Sequence, residues 1–226
     1  MLDQRLRTAA ALYEPCDLGA DIGTDHALLP CHLLEEGVCR RMILADVSPK
    51  ALLHARDQVA RRRLEGRTEL ICADGLDAVT SPCGCISVMG MGGETIAGIL
   101  RRGRDRLQGA VLVLSAHTEL HLVRKAVEDV GYHITREELC AAGGYTYVVW
   151  RCESGAAALS EEDVAYGPIL RHGRTEAHLR YFAWRKRVLE AKLRGMLAAR
   201  EPDRSVIARL EAAVAHYQAA LEESPC

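Results

Sequence analysis

Apolar and polar positions follow two alternating rhythms along the first 152 residues. Short apolar runs at 16–23, 41–47, 67–74, 85–90 and 110–116 read as strands. Between them lie stretches with helical spacing, at 27–36, 49–62, 93–102 and 118–130. Two further apolar stretches, "YHITREELC" and "YTYVVWRC", have no helix between them and are separated by Ala-Ala-Gly-Gly at 141–144. That pair predicts an antiparallel hairpin. From Ser160 the rhythm changes. Ser160 before three acids is a helix start, and two long helices are expected at about 175–199 and 203–221, with Pro202 as the break.

Strand and helix alternating in this way predict a parallel sheet covered on both faces. The appended hairpin narrows the fold class to α/β. The expectation is the Rossmann-like, class I S-adenosylmethionine (AdoMet)-dependent methyltransferase fold: a seven-stranded sheet, its last strand antiparallel, followed by a C-terminal helical hairpin. Two domains are expected, an AdoMet-binding domain over 1–154 and a helical, coiled-coil-like appendage over 155–226.

Composition narrows the class of partner. Lys and Arg number 29 against 31 Asp and Glu, so no overall basic charge marks a nucleic-acid binder. The surplus is local: residues 169–210 hold 11 Lys and Arg against 4 Asp and Glu. It reads either as the solvated face of a helical hairpin or as a phosphate-binding surface. The N-terminal stretch carries charge throughout and lacks an apolar leader, and no apolar run is long enough to span a bilayer. With nine cysteines, the expectation is a cytoplasmic protein with reduced, mostly buried thiols. Cys83-Gly-Cys85 is the only close cysteine pair, and no second pair or nearby histidine completes a zinc set, so no metal is expected.

Candidate chemistry gathers where the strands end. Asp21-Ile-Gly23 closes the first strand, and Gly23 with the following helix start can cradle a small anion. No Gly-x-Gly-x-x-Gly follows, which disfavours the alternative of a nicotinamide enzyme. Asp46, with Val47 after it, ends the second strand; an acid about 20 residues after a glycine turn suits a ribose diol. Asp74-Gly75 after the third strand suits an adenine edge. In "VMGMGGE" at 88–94, Met89 and Gly90 are assigned to cofactor, and Met91, Gly92 and Gly93 to substrate. Asp25 and His26 come after the first turn and are the candidate catalytic pair. Asp25 is read either as an N-cap of the helix at 27–36 or as a carboxylate facing a reacting base, and His26 either as a packed loop residue or as its orienter. His117 is assigned to substrate, as are Arg171, Arg174, Arg180, Arg185, Lys186 and Arg187 in the appendage.

"DIGTDHALLP", "DGL" at 74–76, "GMGGETIAGIL" at 90–100 and "YGPIL" at 166–170 together resemble the bacterial tRNA (adenine-22-N1) methyltransferases, the TrmK family. The resemblance runs from about residue 5 to 220 and includes the helical appendage. It implies AdoMet as cofactor, tRNA as partner, methyl transfer to an adenine ring nitrogen, and a C-terminal hairpin that helps to hold tRNA. A monomer or weak homodimer is expected, with no membrane partner. The chain departs from the family pattern at Leu28, where the family has Tyr. It departs again at Ser115-Ala116-His117, where the family has Gln-Pro-Asn, and in "VSPKALL" after the acid of the second strand. A lost aromatic is a lost stacking platform, worth roughly 1–3 kcal/mol per base. The alternatives are an AdoMet methyltransferase with another substrate, or a non-catalytic RNA-binding protein on the same fold.

Overall fold

The computed structural model describes residues 2–222. Its strands are β1 (Cys16–Ile22), β2 (Cys39–Asp46), β3 (Thr68–Cys72), β4 (Cys85–Met91), β5 (Val111–Ala116), β6 (Tyr132–Ala142) and β7 (Tyr145–Ser154). They form one sheet in the order β3-β2-β1-β4-β5-β7-β6. The first five strands are parallel to one another, and β7 runs antiparallel between β5 and β6. The chain steps outward from β1 to β3, then crosses to β4 on the other side. That reversal opens a crevice beyond the ends of β1 and β4.

The inner parallel strands are apolar on both faces because helices cover both, whereas the edge strand β3 has no buried residue. Met42, Ile43, Leu44 and Ala45 of β2 are buried, as are Leu112, Val113 and Leu114 of β5. Helix α2 (Leu28–Glu35) comes after β1, and α3 (Pro49–Arg61) after β2. Ser48 caps α3 by accepting from the Ala51 N–H, with Pro49 in the first turn. Leu52, Ala55 and Val59 line the buried face of α3 at helical spacing. Helix α4 (Gly93–Arg102), the single turn α5 (Arg104–Leu107) and α6 (Leu120–Asp129) complete the crossovers. The β6–β7 turn is tighter than the four residues expected. Gly143 and Gly144, at φ 58° and 82°, make a two-residue connection that only glycine adopts freely.

One helix was not expected. Residues Gln4–Ala11 form α1, capped by the Asp3 carboxylate, which accepts from the Leu6 N–H. Its apolar signal is weak because alanines supply most of it, and Ala9 is its one fully buried residue.

The chain packs as two units, Met1–Ile169 and the residues from Leu170 onward. The division falls later than the 154/155 boundary expected, because α7 (Glu161–Tyr166) is tied to the first unit. Ser160 and Asp163 form a reciprocal capping box at its start. A buried ion pair then clamps the segment 164–169. Arg124 of α6 donates from Nε to Glu137 Oε1 of β6 at 3.0 Å, with side chains 2% and 0% exposed. Trp150 Nε1 donates to the same oxygen at 2.8 Å, and the Ile169 N–H to Glu137 Oε2 at 2.9 Å. Arg124 Nη1 also donates to the Val164 and Ala165 carbonyls. Gly167, at φ 102°, passes so close that a side chain there would lie 2.5 Å from Glu137 Oε2.

The second unit is a helical hairpin of α8 (Glu176–Leu197) and α9 (Arg204–Glu222), with Pro202 in the break as expected. Phe182 of α8 meets Tyr217 of α9 at 5.7 Å between ring centres. No helix among the described residues is long and apolar enough to cross a membrane.

Breaking a buried pair leaves a bare charge in a dry interior. Arg124→Met is therefore expected to destabilise the chain by about 3–5 kcal/mol, measured by urea unfolding. A loss under about 1 kcal/mol would show that Glu137 does not depend on its counter-charge.

Candidate active site

The strand order brings β3, β2, β1 and β4 side by side, so Asp74, Asp46 and Asp21 stand along one rim of the sheet. Asp21 is the buried member. Ser87 of β4 donates from Oγ to Asp21 Oδ1 at 2.5 Å, and Tyr13 Oη donates to Ser87 Oγ at 2.6 Å. Burial pushes the Asp21 carboxyl above its ordinary value; the Ser87 hydroxyl pulls it partly back, and the Asp46 charge adds to the rise. Burial likewise pushes the Tyr13 phenol well up, so Tyr13 acts as a hydrogen-bond donor. Behind Asp21 the chain turns at Gly23, φ 81°, and the Gly23 and Thr24 N–H groups donate to Ala45 O at 2.8 and 2.9 Å. A side chain at Gly23 would collide with the Met91 methyl.

A cavity of about 300 Å³ opens from this turn. Four of the expected cofactor residues line it: Asp21, Gly23, Met89 and Gly90. Asp25, His26 and His117 line it too, as does Leu28. Asp46, Val47, Asp74 and Gly75 lie outside it, farther along the rim. The Asp46 carboxylate accepts from the Ser48 N–H at 2.7 Å, and Val47 stands 70% exposed beside it. Asp74 is held by Arg102 Nη2 at 3.3 Å, in solvent. Gly75 is left-handed at φ 58°, with Ile99 3.1 Å from where a side chain would begin.

The glycine-rich run divides by role. Gly90, φ 78°, faces the cavity: a side chain there would stand 3.9 Å from Arg5 Nη1 and 4.0 Å from His117 Nε2. Gly93 was expected to face substrate, but it is buried against the chain at 118–119, where a side chain would run into the Glu119 carbonyl. Its smallness serves the packing of α4. A side chain at Gly92 would meet Thr118 Oγ1 at 3.3 Å, and Met91 packs against Gly23.

Asp25 and His26 are exposed at the cavity mouth. The capping alternative for Asp25 does not hold. Ala27, in the left-handed region at φ 49°, occupies the N-cap of α2, and no side chain caps that helix. The Asp25 carboxylate instead meets His54 Nδ1 of α3 at 3.0 Å and His26 Nε2 at 3.3 Å, with the two imidazoles stacked at 5.2 Å. Of Ser115-Ala116-His117, only His117 reaches the cavity. Ser115 is buried and donates to Val148 O at 3.0 Å.

Several site residues carried no sequence signal. Arg5 comes from α1, and its guanidinium lies 5.1 Å from the Tyr147 ring centre, with His117 edge-on to the same ring. Arg5 Nε is buried and has no hydrogen-bond partner among the described residues. The buried Thr24 hydroxyl lies near Asp21 without the geometry of a formed hydrogen bond. Ser87, Tyr13 and His54 are brought in only by tertiary folding.

Eight of the nine cysteines are free thiols, and Cys226 lies outside the described residues. Cys83 and Cys85 are buried, and burial pushes Cys83 up to about 11, so they behave as core residues. In the second unit, Arg180 and Arg187 are exposed, with Arg180 paired to Glu176 at 3.1 Å. Three of the other expected cations are engaged within the unit. Arg174 donates to the Arg171 and Gly173 carbonyls, Lys186 pairs with Glu190, and Arg185 lies over the Trp184 ring. Arg171 is half-buried.

The sheet order, the antiparallel β7 and the acid rim define an α/β protein of the Rossmann-like methyltransferase class. Within that class, residues 19–215 match the pattern of the tRNA (adenine(22)-N(1))-methyltransferases, TrmK, and the chain belongs to that family. It is 30% identical over 170 residues to the tRNA (adenine(22)-N(1))-methyltransferase of Bacillus subtilis, covering 74% of this chain and 69% of that one. Two crystal structures of Streptococcus pneumoniae Sp1610, one with S-adenosyl-L-methionine bound, superpose with TM-scores of 0.89 and 0.86. They are 26% identical to this chain and cover 98% of it and 100% of their own length. TrmK of Mycoplasma capricolum, solved with S-adenosyl-homocysteine, shares the fold at a TM-score of 0.85 and 21% identity, over 98% of each chain.

Because the Asp21 carboxyl is raised in the folded state, that state holds the proton more tightly than the unfolded chain does. Its contribution is full below the ordinary carboxylate range and is lost as pH rises through the folded value. Asp21→Asn is therefore expected to be more stable than the parent at neutral pH, with the gap closing as pH falls toward that range. Thermal melts across a pH series would read this, and a gap independent of pH would refute it.

Proposed function

We propose that this chain transfers the methyl group of AdoMet to N1 of an adenine in tRNA, position 22 by family. The observation that carries the reading is the cavity at the β1/β4 crevice. It joins a buried acid, an unpartnered buried guanidinium N–H and an exposed carboxylate at one mouth.

The residues present fit the cofactor. Arg5 Nε is a buried donor aimed at no protein acceptor, and it suits the methionine carboxylate. Gly23 and Gly90 let backbone approach the methionine chain. Asp46 suits the ribose diol, Val47 offers an apolar face to the adenine, and Asp74 with the Gly75 amide suits the adenine edge. AdoMet supplies an electrophilic sulfonium methyl when bound.

The protein's own task is alignment and charge. Adenine N1 carries a lone pair and needs no base before it attacks, but the product ring is a cation. A carboxylate beside the base stabilises the charge that develops. Asp25 takes that role, and His26, within 3.3 Å of it, orients it. His117, with Met91 and Gly92 beside the β4 end, meets the base. Its ring is braced by Tyr147, a second aromatic that Leu28 does not supply.

The helical unit is the tRNA-holding appendage in this reading, with Arg180 and Arg187 as its most accessible phosphate contacts. The protein works in the cytoplasm as a monomer or weak homodimer. Incubation with labelled AdoMet and unmodified tRNA tests the whole. Label in N1-methyladenosine at position 22 supports the reading, label in another nucleoside assigns a different substrate, and no turnover despite AdoMet binding assigns a non-catalytic role.

Two variants should separate the roles. Asp25→Ala should lower kcat by about 100-fold or more with AdoMet affinity within about twofold by calorimetry. Asp46→Ala should weaken AdoMet by about 10- to 100-fold. Equal losses of rate and cofactor affinity in the Asp25 variant would remove its catalytic role. In a third measurement, Arg180→Ala and Arg187→Ala should each reduce the slope of log affinity for tRNA against log salt by about 1. An unchanged slope in both would take the appendage out of phosphate binding.

A further inference from the structure

We propose that Asp25, His26 and His54 form a binding site for a divalent transition-metal ion of the zinc type, and that an ion there shuts off methyl transfer. Asp25 and His26 come from the loop after β1, and His54 from the exposed face of α3. Among the described residues this is the one group of three His, Cys, Asp or Glu side chains whose ligand atoms all lie within 4.8 Å of one another.

The spacing suits a small tetrahedral ion. Bonds of about 2.0 Å place neighbouring donors about 3.3 Å apart. His54 Nδ1 stands 3.0 Å from Asp25 Oδ1, and His26 Nε2 stands 3.3 Å from the other carboxylate oxygen, Oδ2. The imidazoles are stacked, with 13° between their planes, and each has a ring nitrogen against Asp25; one ring must turn for both in-plane lone pairs to meet a single ion. Two imidazoles and one carboxylate favour zinc, copper, nickel or cobalt over calcium or magnesium, which take oxygen sets. The three side chains are 58%, 63% and 45% exposed. Small rotations can therefore close the set, and water can fill the remaining coordination position.

The consequence for the reaction rests on the role given to Asp25 above. A carboxylate bonded to a dication cannot stabilise a cationic base, and the ion would sit at the mouth through which the base enters. The ion is then a reversible inhibitor.

The test uses the full reduced chain titrated with Co²⁺, read by visible absorption. The expected result is one ion per chain with a ligand-field spectrum, no sulfur-to-metal charge-transfer band, and affinity at least about tenfold lower in His54→Ala and in His26→Ala. Equal affinity in parent and variants, or a thiolate band, would overturn the site. In the methylation assay, Zn²⁺ should inhibit the parent reversibly on adding chelator. His54→Ala, measured against its own metal-free rate, should need at least about tenfold more Zn²⁺ for the same inhibition. Equal sensitivity would overturn the regulatory half. If Asp25→Ala methylates normally while His54→Ala still loses Co²⁺ affinity, the catalytic role of Asp25 fails and the metal site stands.

Discussion

A carboxylate buried at the rim of the sheet, on the wall of the cavity, organises this molecule. Asp21 is buried between β1 and β4 and held by Ser87, which is itself held by Tyr13. Burial works against its charge, and the hydroxyl only partly offsets that. At neutral pH its charge therefore works against the fold. It sits at the reversal of strand order, where the crevice opens. Gly23, Met89, Gly90 and Asp25 take their places around the turn that Asp21 begins, with Arg5 facing them from α1.

How far the sequence could be read depended on whether a signal was local. Parallel strands appear as short, mostly apolar runs between helix-period segments, so all five were visible within a few residues of their ends. The hairpin was visible from two adjacent glycines. Helix α1 was not, because its alanines are apolar but too small to mark a face, and with it went Arg5. The acids at the strand ends were legible because strand order alone puts them on one rim. His54 and Tyr147 were not, since nothing near them in sequence points to a site. Asp25 shows a further limit. A short acid before a helix is ordinarily a cap, yet here a left-handed Ala27 starts the helix and leaves the carboxylate to two imidazoles. Gly93 misled in the opposite direction, its lack of a side chain serving packing.

The basic surplus of the helical unit shows why counting charges overstates a binding surface. Of six cations singled out in the unit, four have work within it: donating to carbonyls, pairing with an acid along the helix, or lying over an indole. Arg180 and Arg187 remain outward. The long stems of arginine and lysine let them pack as hydrophobes while still carrying charge, so their number says little about how many meet a phosphate.

The knot around Glu137 sets an order on events during synthesis. Its partners come from α6, β7 and the stretch 164–169, and the last of these leaves the ribosome well after the final strand. Until then a carboxylate destined for the dry interior has only part of its shell. The first unit therefore completes its interior only once Ile169 has emerged, just before the helical hairpin begins to emerge. A nascent chain halted at 154 would hold every strand of the sheet and still lack the carbonyls and amide that let Glu137 stay inside.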